Sequence, residues 1–225
     1  MSDHLINHIL AGTAHVLRDP RVELVLDRLY YEAQIKAEEA KELLRAAPEG
    51  RADVDEDAVL TDFGFHLRPQ QGELLYLMAR NARAERVVEF STSGGAAAIY
   101  LAAAMRDNGG GMVIGSDPRP DRIEMAAANL TKAGLADYVD LRVGEPADVL
   151  AAQEGPVDLV FCDGWPKVSA PSRALRTLMA LEPHLRPGAL VINDNAEPDF
   201  VDYVRSPQGG YRCSASILGL IAARD

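Results

Sequence analysis

Cysteine is scarce in this sequence, which has 225 residues but only two cysteines, Cys162 and Cys213. Two cysteines cannot form a metal-ligand cluster by themselves, and they make a poor disulfide framework. A disulfide-stapled scaffold is therefore excluded. Reduced thiols in the cytoplasm are the simplest interpretation, and we expect a cytoplasmic protein.

Long apolar runs and an excess of basic residues are also missing. No apolar run approaches the roughly 20 residues that span a bilayer, and the first residues lack the basic and apolar regions of a secretory signal. There are 23 Lys and Arg against 34 Asp and Glu, a formal net charge of -11. Nucleic-acid binding relies on clustered positive charge, so we expect neither a nucleic-acid nor a membrane partner.

Several familiar catalytic motifs are absent as well. The sequence contains no P-loop and no nucleophile elbow. It also lacks the GxGxxG fingerprint after a strand, which argues against a nicotinamide oxidoreductase. The histidines show neither zinc-ligand spacing nor a triad arrangement; they are His4, His8, His15, His66 and His184.

What is present begins with a helical N-terminal segment. Hydrophobic residues make up 48% and charged residues 25% of the chain, which is typical of a globular protein. Apolar positions recur every three to four residues over Val22–Leu44, the spacing of an amphipathic helix, and an acidic loop follows at 47–57. We predict an N-terminal helical appendage at 1–62 and a main domain at 63–225. The appendage would cover a sheet face, contact a homodimer partner or form a lid over a substrate pocket.

The main domain alternates short β-branched runs with helical segments. The predicted strands are Arg86–Phe90, Met112–Asp117, Tyr138–Gly144, Val157–Gly164 and Gly188–Asn195. Alternation of this kind predicts an α/β fold, a doubly wound and mostly parallel sheet with helices on both faces. The final segments Tyr211–Ile217 and Leu218–Arg224 predict a closing hairpin that adds a C-terminal antiparallel strand.

Ligands of open α/β sheets bind beyond the carboxyl ends of the strands. The first strand ends in the small-residue turn Glu89–Gly95, where a ligand could approach the backbone and the N-terminus of a helix. Asp117 ends the second strand and is placed to accept ribose hydroxyls, and Gly144–Pro146 ends the third, where an adenine edge could be bound. Packing would also explain the turn, and a solvated strand end would explain Asp117, so both alternatives stay open.

The fourth and fifth strands end in oxygen-bearing side chains. Asp163, Asp194 and Asn195 come from neighbouring strand ends, and hard cations such as Mg²⁺ prefer oxygen ligands. An Asx turn at Asp194 and Asn195 is the alternative. Trp165, the single tryptophan, provides either a flat wall for an aromatic substrate or ordinary packing.

Four segments in these strand ends resemble motifs of the class I S-adenosylmethionine-dependent O-methyltransferases, in the branch of catechol and caffeoyl-coenzyme A enzymes and their bacterial relatives. The segments are VVEFSTSGGAA, GSDPRPDRIEMAAANLTKAG, VDLVFCDGWPK and LRPGALVINDN, and they follow the family's order. The resemblance runs from about Phe65 to the end and implies a Rossmann-like methyltransferase fold.

The resemblance also implies a set of site residues. S-adenosylmethionine would be bound by Glu89, Ser91, Thr92, Ser93, Gly95, Asp117, Gly144, Glu145 and Asp163. Asp163, Asp194 and Asn195 would be the ligands of Mg²⁺ or another divalent cation. Lys167 would be the catalytic base, acting with Asp163, and Trp165 would contact the substrate.

Three departures from the family pattern stand out. Ser91 replaces the usual glycine, Pro166 occupies the usual lysine position with Lys167 one residue later, and the segment between Asn195 and the final hairpin is short.

From the resemblance we expect methyl transfer to a small-molecule hydroxyl. A catechol-like aromatic ring with cation assistance fits best. A metal-independent methyltransferase and a catalytically silent S-adenosylmethionine-binding module are the alternatives.

Overall fold

The computed structural model describes residues 16–46, 67–151, 155–163 and 171–225. Three features of the sequence analysis lie outside these residues. They are the boundary between 62 and 63, the acidic loop at 47–57, and the segment 164–170 that contains Trp165 and Lys167.

The described residues form one seven-stranded sheet. Its strands are β1 Arg86–Phe90, β2 Met112–Asp117, β3 Val139–Val143, β4 Val157–Cys162, β5 Leu185–Asn193, β6 Tyr211–Ser216 and β7 Gly219–Arg224. The order across the sheet is β3-β2-β1-β4-β5-β7-β6. Strands β1 to β5 are parallel, and β7 is antiparallel to both β5 and β6. The predicted α/β fold with its antiparallel C-terminal strand is confirmed.

Helices connect the parallel strands. Within the described ranges they are α1 Pro20–Ala46, α2 Pro69–Asn81, α3 Ala96–Asn108, α4 Pro120–Ala133, α5 Pro146–Leu150, α6 Arg173–Leu181 and α7 Pro198–Arg205. Five of them start with proline, whose fixed φ suits the first helical position. None of these described helices is long and apolar enough to cross a membrane.

Helix α5 is short and ends at Leu150, and only Pro146 and Leu150 of it are buried. Helix α7 was not predicted. It buries Phe200 and Val204, a single apolar pair that is too short to show helical periodicity in the sequence.

Alternate residues of the central strands enter two separate cores, one on each face of the sheet. Val87 packs with α1 to α4, whereas the adjacent Val88 packs with α5, α6 and α7. Because both faces are covered, the central strands carry apolar residues on both faces, as is usual for parallel sheets. The carboxyl edge of the sheet is left for polar side chains.

The first half of α1 lies against α3 and α4. Val22, Val25, Leu26 and Leu29 are all at most 5% exposed, so the start of the predicted apolar stripe is buried within this chain. It covers helices rather than a sheet face. The roles of lid and homodimer contact stay predictions.

Gly219 joins the C-terminal hairpin to the end of β5. Its φ of 82° lies in the left-handed region, and a Cβ there would lie 2.2 Å from the carbonyl oxygen of Asn193 and 2.5 Å from that of Asp194. We expect Gly219→Ala to lower the free energy of unfolding by about 2–4 kcal/mol, measured by urea denaturation, because backbone strain and steric overlap add.

The matched control is Gly109→Ala. Gly109 has a φ of 95°, but a Cβ there would meet nothing within 4 Å. Only backbone strain should act there, so we expect Gly109→Ala to lower the free energy of unfolding by about 1–2 kcal/mol. Equal losses in the two variants would contradict the proposed overlap at Gly219.

Candidate active site

The turn after β1 has a left-handed backbone at two serines. Ser91 has a φ of 63° and Ser93 a φ of 50°, and Gly95 caps α3 with a φ of 87°. A non-glycine residue in this region costs about 1–3 kcal/mol and persists only where its surroundings hold it. Ser91 therefore keeps the left-handed conformation that glycine would adopt, and the turn stores strain at a strand end.

Glu89 is the most unusual charged group beside this turn. It is 1% exposed; its Oε1 accepts a hydrogen bond of 2.7 Å from the Thr92 hydroxyl, and its Oε2 is buried without a partner among the described residues. Burial is the main cause that raises the pKa of Glu89 to about 7; the Thr92 hydrogen bond opposes this shift, and the carboxylates of Asp163 and Asp117 add to it. A buried oxygen without a donor is costly, so this site favours a cation or a hydrogen-bond donor.

Asp117 lies where the sequence predicted, at the end of β2 beside the turn. It is 1% exposed and accepts hydrogen bonds from the backbone N–H groups of Ser93 at 3.1 Å and Arg119 at 2.9 Å. A carboxylate has about four acceptor positions. The two backbone bonds therefore fix the carboxylate and leave capacity for the hydroxyls of a ligand.

The end of β3 lies next to Asp117. The backbone N–H of Gly144 donates to the Asp117 carbonyl at 3.0 Å. Glu145, predicted to lie near an adenine, forms an ion pair with Arg173 of α6, with Nε 3.2 Å from Oε2. Sequence reasoning did not identify Arg173, because it comes from a different element with no motif around it.

Asp163 and Asn195 line one cleft at the carboxyl ends of β1, β4 and β5. The lining residues are Phe90, Ser91, Asp163, Arg173, Ala174, Asn193, Asn195 and Glu197. The structure thus brings two of the three predicted metal ligands together with Ser91. It adds Glu197, which directly precedes α7 and was not predicted because no motif surrounds it.

Asp194, the third predicted ligand, is not among the residues that line this cleft. Its Oδ1 accepts a hydrogen bond of 2.8 Å from the side-chain amide of Gln71 in α2. The same amide nitrogen donates to the Ile217 carbonyl at 2.8 Å. Burial raises the pKa of Asp194, while Gln71 and Arg68 act in the opposite direction. Gln71 was missed because it lies 123 residues from Asp194 in the sequence.

The donor set suits a hard cation. In the part of the chain that the structure describes, no group of three or more His, Cys, Asp or Glu side chains could hold a metal ion. The predicted ligands are instead two carboxylates and the amide of Asn195. Mg²⁺ commonly takes one or two carboxylates and keeps several waters, so oxygen donors of this kind fit it.

Known proteins resemble the part of the chain that contains this site. A family model described as a methyltransferase domain matches residues 88–196, the part that contains the strand ends described above. The chain is 41% identical over 95 residues to the catechol O-methyltransferase of Mycobacterium tuberculosis, covering 42% of each protein. It is 32% identical over 137 residues to that of Niastella koreensis, covering 58% of each. Over these residues the chain resembles the class I S-adenosylmethionine-dependent O-methyltransferases.

A solved O-methyltransferase structure has the same fold. The O-methyltransferase TomG of Streptomyces achromogenes, in complex with S-adenosylmethionine, is 25% identical, with a TM-score of 0.56. The comparison covers 86% of this chain and 89% of TomG. The matched segments span about half the length of the two curated relatives.

Glu89 makes stability depend on pH. The carboxyl group of Glu89 loses its proton near pH 4.5 in the unfolded chain and near pH 7 in the folded chain. The folded state therefore loses stability as the pH rises between these values. We expect Glu89→Gln, which cannot ionise, to exceed the wild type in unfolding free energy by up to about 3 kcal/mol above pH 7. This advantage should shrink as the pH falls toward 5. Urea denaturation at pH 5 and pH 8 measures it.

The matched control is Glu85→Gln, at an exposed position just before β1. Its difference from the wild type should be the same at both pH values. A pH-independent difference for Glu89→Gln as well would show that burial does not perturb Glu89.

Gln71 should stabilise the fold through its two donated hydrogen bonds. Gln71→Leu has a similar volume but removes the donor to Asp194 and to the Ile217 carbonyl, and the acceptor of the Arg68 backbone N–H. We expect it to lower the free energy of unfolding by about 2 kcal/mol, measured by urea denaturation. Gln70→Leu, on the half-buried neighbouring residue, should change stability by less than about 0.5 kcal/mol. Equal effects would refute the bridging role.

Proposed function

We propose that the chain is an enzyme that transfers a methyl group from S-adenosylmethionine to a hydroxyl oxygen of a small molecule. Vicinal hydroxyls on an aromatic ring are the best-fitting acceptor, with Mg²⁺ or another divalent cation assisting. The observation that carries this proposal is the cleft in which Asp163 and Asn195 lie beside Ser91. The two catechol O-methyltransferases among the relatives support the substrate class.

The proposed cofactor site uses the ends of β1, β2 and β3. The buried, unpartnered oxygen of Glu89 is complementary to a positively charged ligand, and S-adenosylmethionine carries sulfonium and ammonium groups. Asp117 would accept the ribose hydroxyls, because its carboxylate is already oriented by two backbone N–H groups. The turn residues Ser91 to Gly95 and the Gly144–Glu145 segment complete the proposed site. The TomG complex supports this choice of cofactor.

The proposed cation site comprises Asp163, Asn195 and Asp194. When bound, S-adenosylmethionine supplies the methyl group, and Mg²⁺ supplies positive charge that favours an ionised hydroxyl. Asp163 and Asn195 would hold the cation from the cleft. Asp194 has one oxygen bound to Gln71 and would contribute through its second oxygen.

Two proposed residues follow β4. Lys167 would accept the proton of the acceptor hydroxyl, and Trp165 would form a flat wall against an aromatic ring. The chain's main task is to hold the hydroxyl in line with the methyl group, since positioning supplies much of the rate of such a transfer. The strained turn at Ser91 and the oriented Asp117 are the fixed points on which this positioning depends.

A metal-independent methyltransferase is the second candidate. It is favoured by the contact of Asp194 with Gln71. Of the three predicted metal ligands, Asp163 and Asn195 line the cleft and Asp194 does not. In this version the two residues orient the acceptor hydroxyl directly. The domain division at 62, the lid or homodimer role of residues 1–62 and a cytoplasmic location remain predictions from the sequence.

The decisive experiment measures methyl transfer from S-adenosylmethionine to catechol and to phenol, with Mg²⁺ or with EDTA. We expect Mg²⁺-dependent turnover of catechol, and a loss in kcat/KM of at least about 100-fold in Asp163→Asn, because it removes a cation ligand and a positioning group. Asp137→Asn, at an exposed position, is the control and should retain full activity.

The outcomes separate the candidates. Turnover that EDTA leaves unchanged would favour the metal-independent enzyme. Binding of S-adenosylhomocysteine without transfer to any acceptor in a broad hydroxyl panel would overturn the proposal in favour of a catalytically silent binding module.

A further inference from the structure

Asn129 is a buried polar residue within helix α4. Asparagine has a low helix propensity because its side chain competes with the backbone for hydrogen bonds, and at 3% exposure it must find partners. Its Nδ2 donates to the carbonyl oxygen of Gly94 at 2.8 Å. Asn129 therefore holds the turn after β1 by its backbone.

The turn packs closely on the same face of α4. A Cβ at Gly95 would lie 3.1 Å from the Cβ of Ala126, three residues before Asn129. On the other side of the turn, the Ser93 N–H donates to Asp117. The peptide group between Gly94 and Gly95 is thus fixed between α4 and the end of β2.

The acceptor side of Asn129 is used by helix α1. Nη2 of Arg28 donates to Oδ1 of Asn129 at 2.5 Å, and Nη1 of Arg28 lies 3.5 Å from Glu32. A guanidinium group can only donate, so it fixes the amide with Oδ1 toward α1 and Nδ2 toward Gly94. The hydrogen bonds run without interruption from α1 through α4 to the turn.

We propose that Arg28 and Asn129 are positioning residues through which helix α1 sets the geometry of the cofactor turn. This inference rests on the proposed function for its effect on binding, because the turn is the proposed site of S-adenosylmethionine. It gives the N-terminal segment a role in this chain's own site that neither a lid nor a homodimer contact requires.

Arg21 provides a matched control on the same helix. It also ties α1 to α4, with Nε donating to the Lys132 carbonyl at 2.6 Å and Nη2 to the Thr131 carbonyl at 3.0 Å. Its contacts are with backbone carbonyls at the C-terminal end of α4 and do not include the side chain of Asn129. Arg21→Met and Arg28→Met therefore both loosen α1, but only Arg28→Met breaks the link to the turn.

The first measurement needs no cofactor. In ¹H–¹⁵N spectra of the full chain, Arg28→Met should shift the amide resonance of Gly95, which shares a peptide group with the Gly94 carbonyl. Arg21→Met should leave it in place, and Arg28→Lys, which keeps a donor, should restore most of the wild-type position. A Gly95 resonance that does not move in Arg28→Met, or moves equally in Arg21→Met, overturns the link.

The second measurement is the Kd of S-adenosylhomocysteine by calorimetry. We expect about tenfold weaker binding for Arg28→Met, a change within twofold for Arg21→Met, and recovery to within threefold for Arg28→Lys. Wild-type binding with equal Kd values for Arg21→Met and Arg28→Met would overturn the positioning role alone. A wild-type chain that does not bind S-adenosylhomocysteine at all would overturn the proposed function and, with it, the effect on binding. The shift of the Gly95 resonance would still test the structural link.

Discussion

The burial of a carboxylate at the centre of the sheet edge is the constraint on which the rest of this site depends. Glu89 is enclosed by β1 and its neighbours. Gly115 of β2 leaves room for it, because a Cβ at Gly115 would lie 2.9 Å from Oε1 of Glu89. Thr92 satisfies one oxygen of Glu89, but the other has no partner among the described residues. Such a group is tolerated only because two well-packed cores supply the stability that it costs. Buried groups of this kind are typical of functional positions, where the group lowers the stability of the free protein and a bound ligand restores it.

The edge is held by connections that come from distant parts of the chain. Gln71 joins α2 to Asp194 and to the hairpin before β7, and Asn129 joins α1 and α4 to the turn after β1. Each is an amide that donates from one end of the side chain and accepts at the other. Buried amides of this kind fix one geometry because donor and acceptor cannot be exchanged without losing both bonds. The acidic strand ends are thereby oriented before any ligand arrives.

Much of the fold could be predicted because parallel strands have a strong local signal. The runs at Arg86–Phe90 and Val157–Cys162 are rich in apolar residues, since both faces of the sheet are covered. Helix α7 could not be predicted in the same way, because its eight residues bury one apolar pair. The positions of Asp117 and Asp163 at strand ends could be predicted, because strand ends are visible in a sequence. Gln71 and Arg173 could not, because no local pattern marks a side chain that meets its partner across the fold.

The sequence by itself determined the order of strands and helices, the two-sided core and the gathering of Glu89, Asp117 and Asp163 at one edge, because all three follow from local periodicity and from the parallel arrangement. Only the tertiary structure decided which of these groups face each other. It placed Asp163 and Asn195 in one cleft and turned Asp194 toward Gln71, and it engaged Glu145 with Arg173. The physical reason is that a side chain's direction at a strand end depends on hydrogen-bond partners from other elements, and those partners are brought close only when the whole chain has packed.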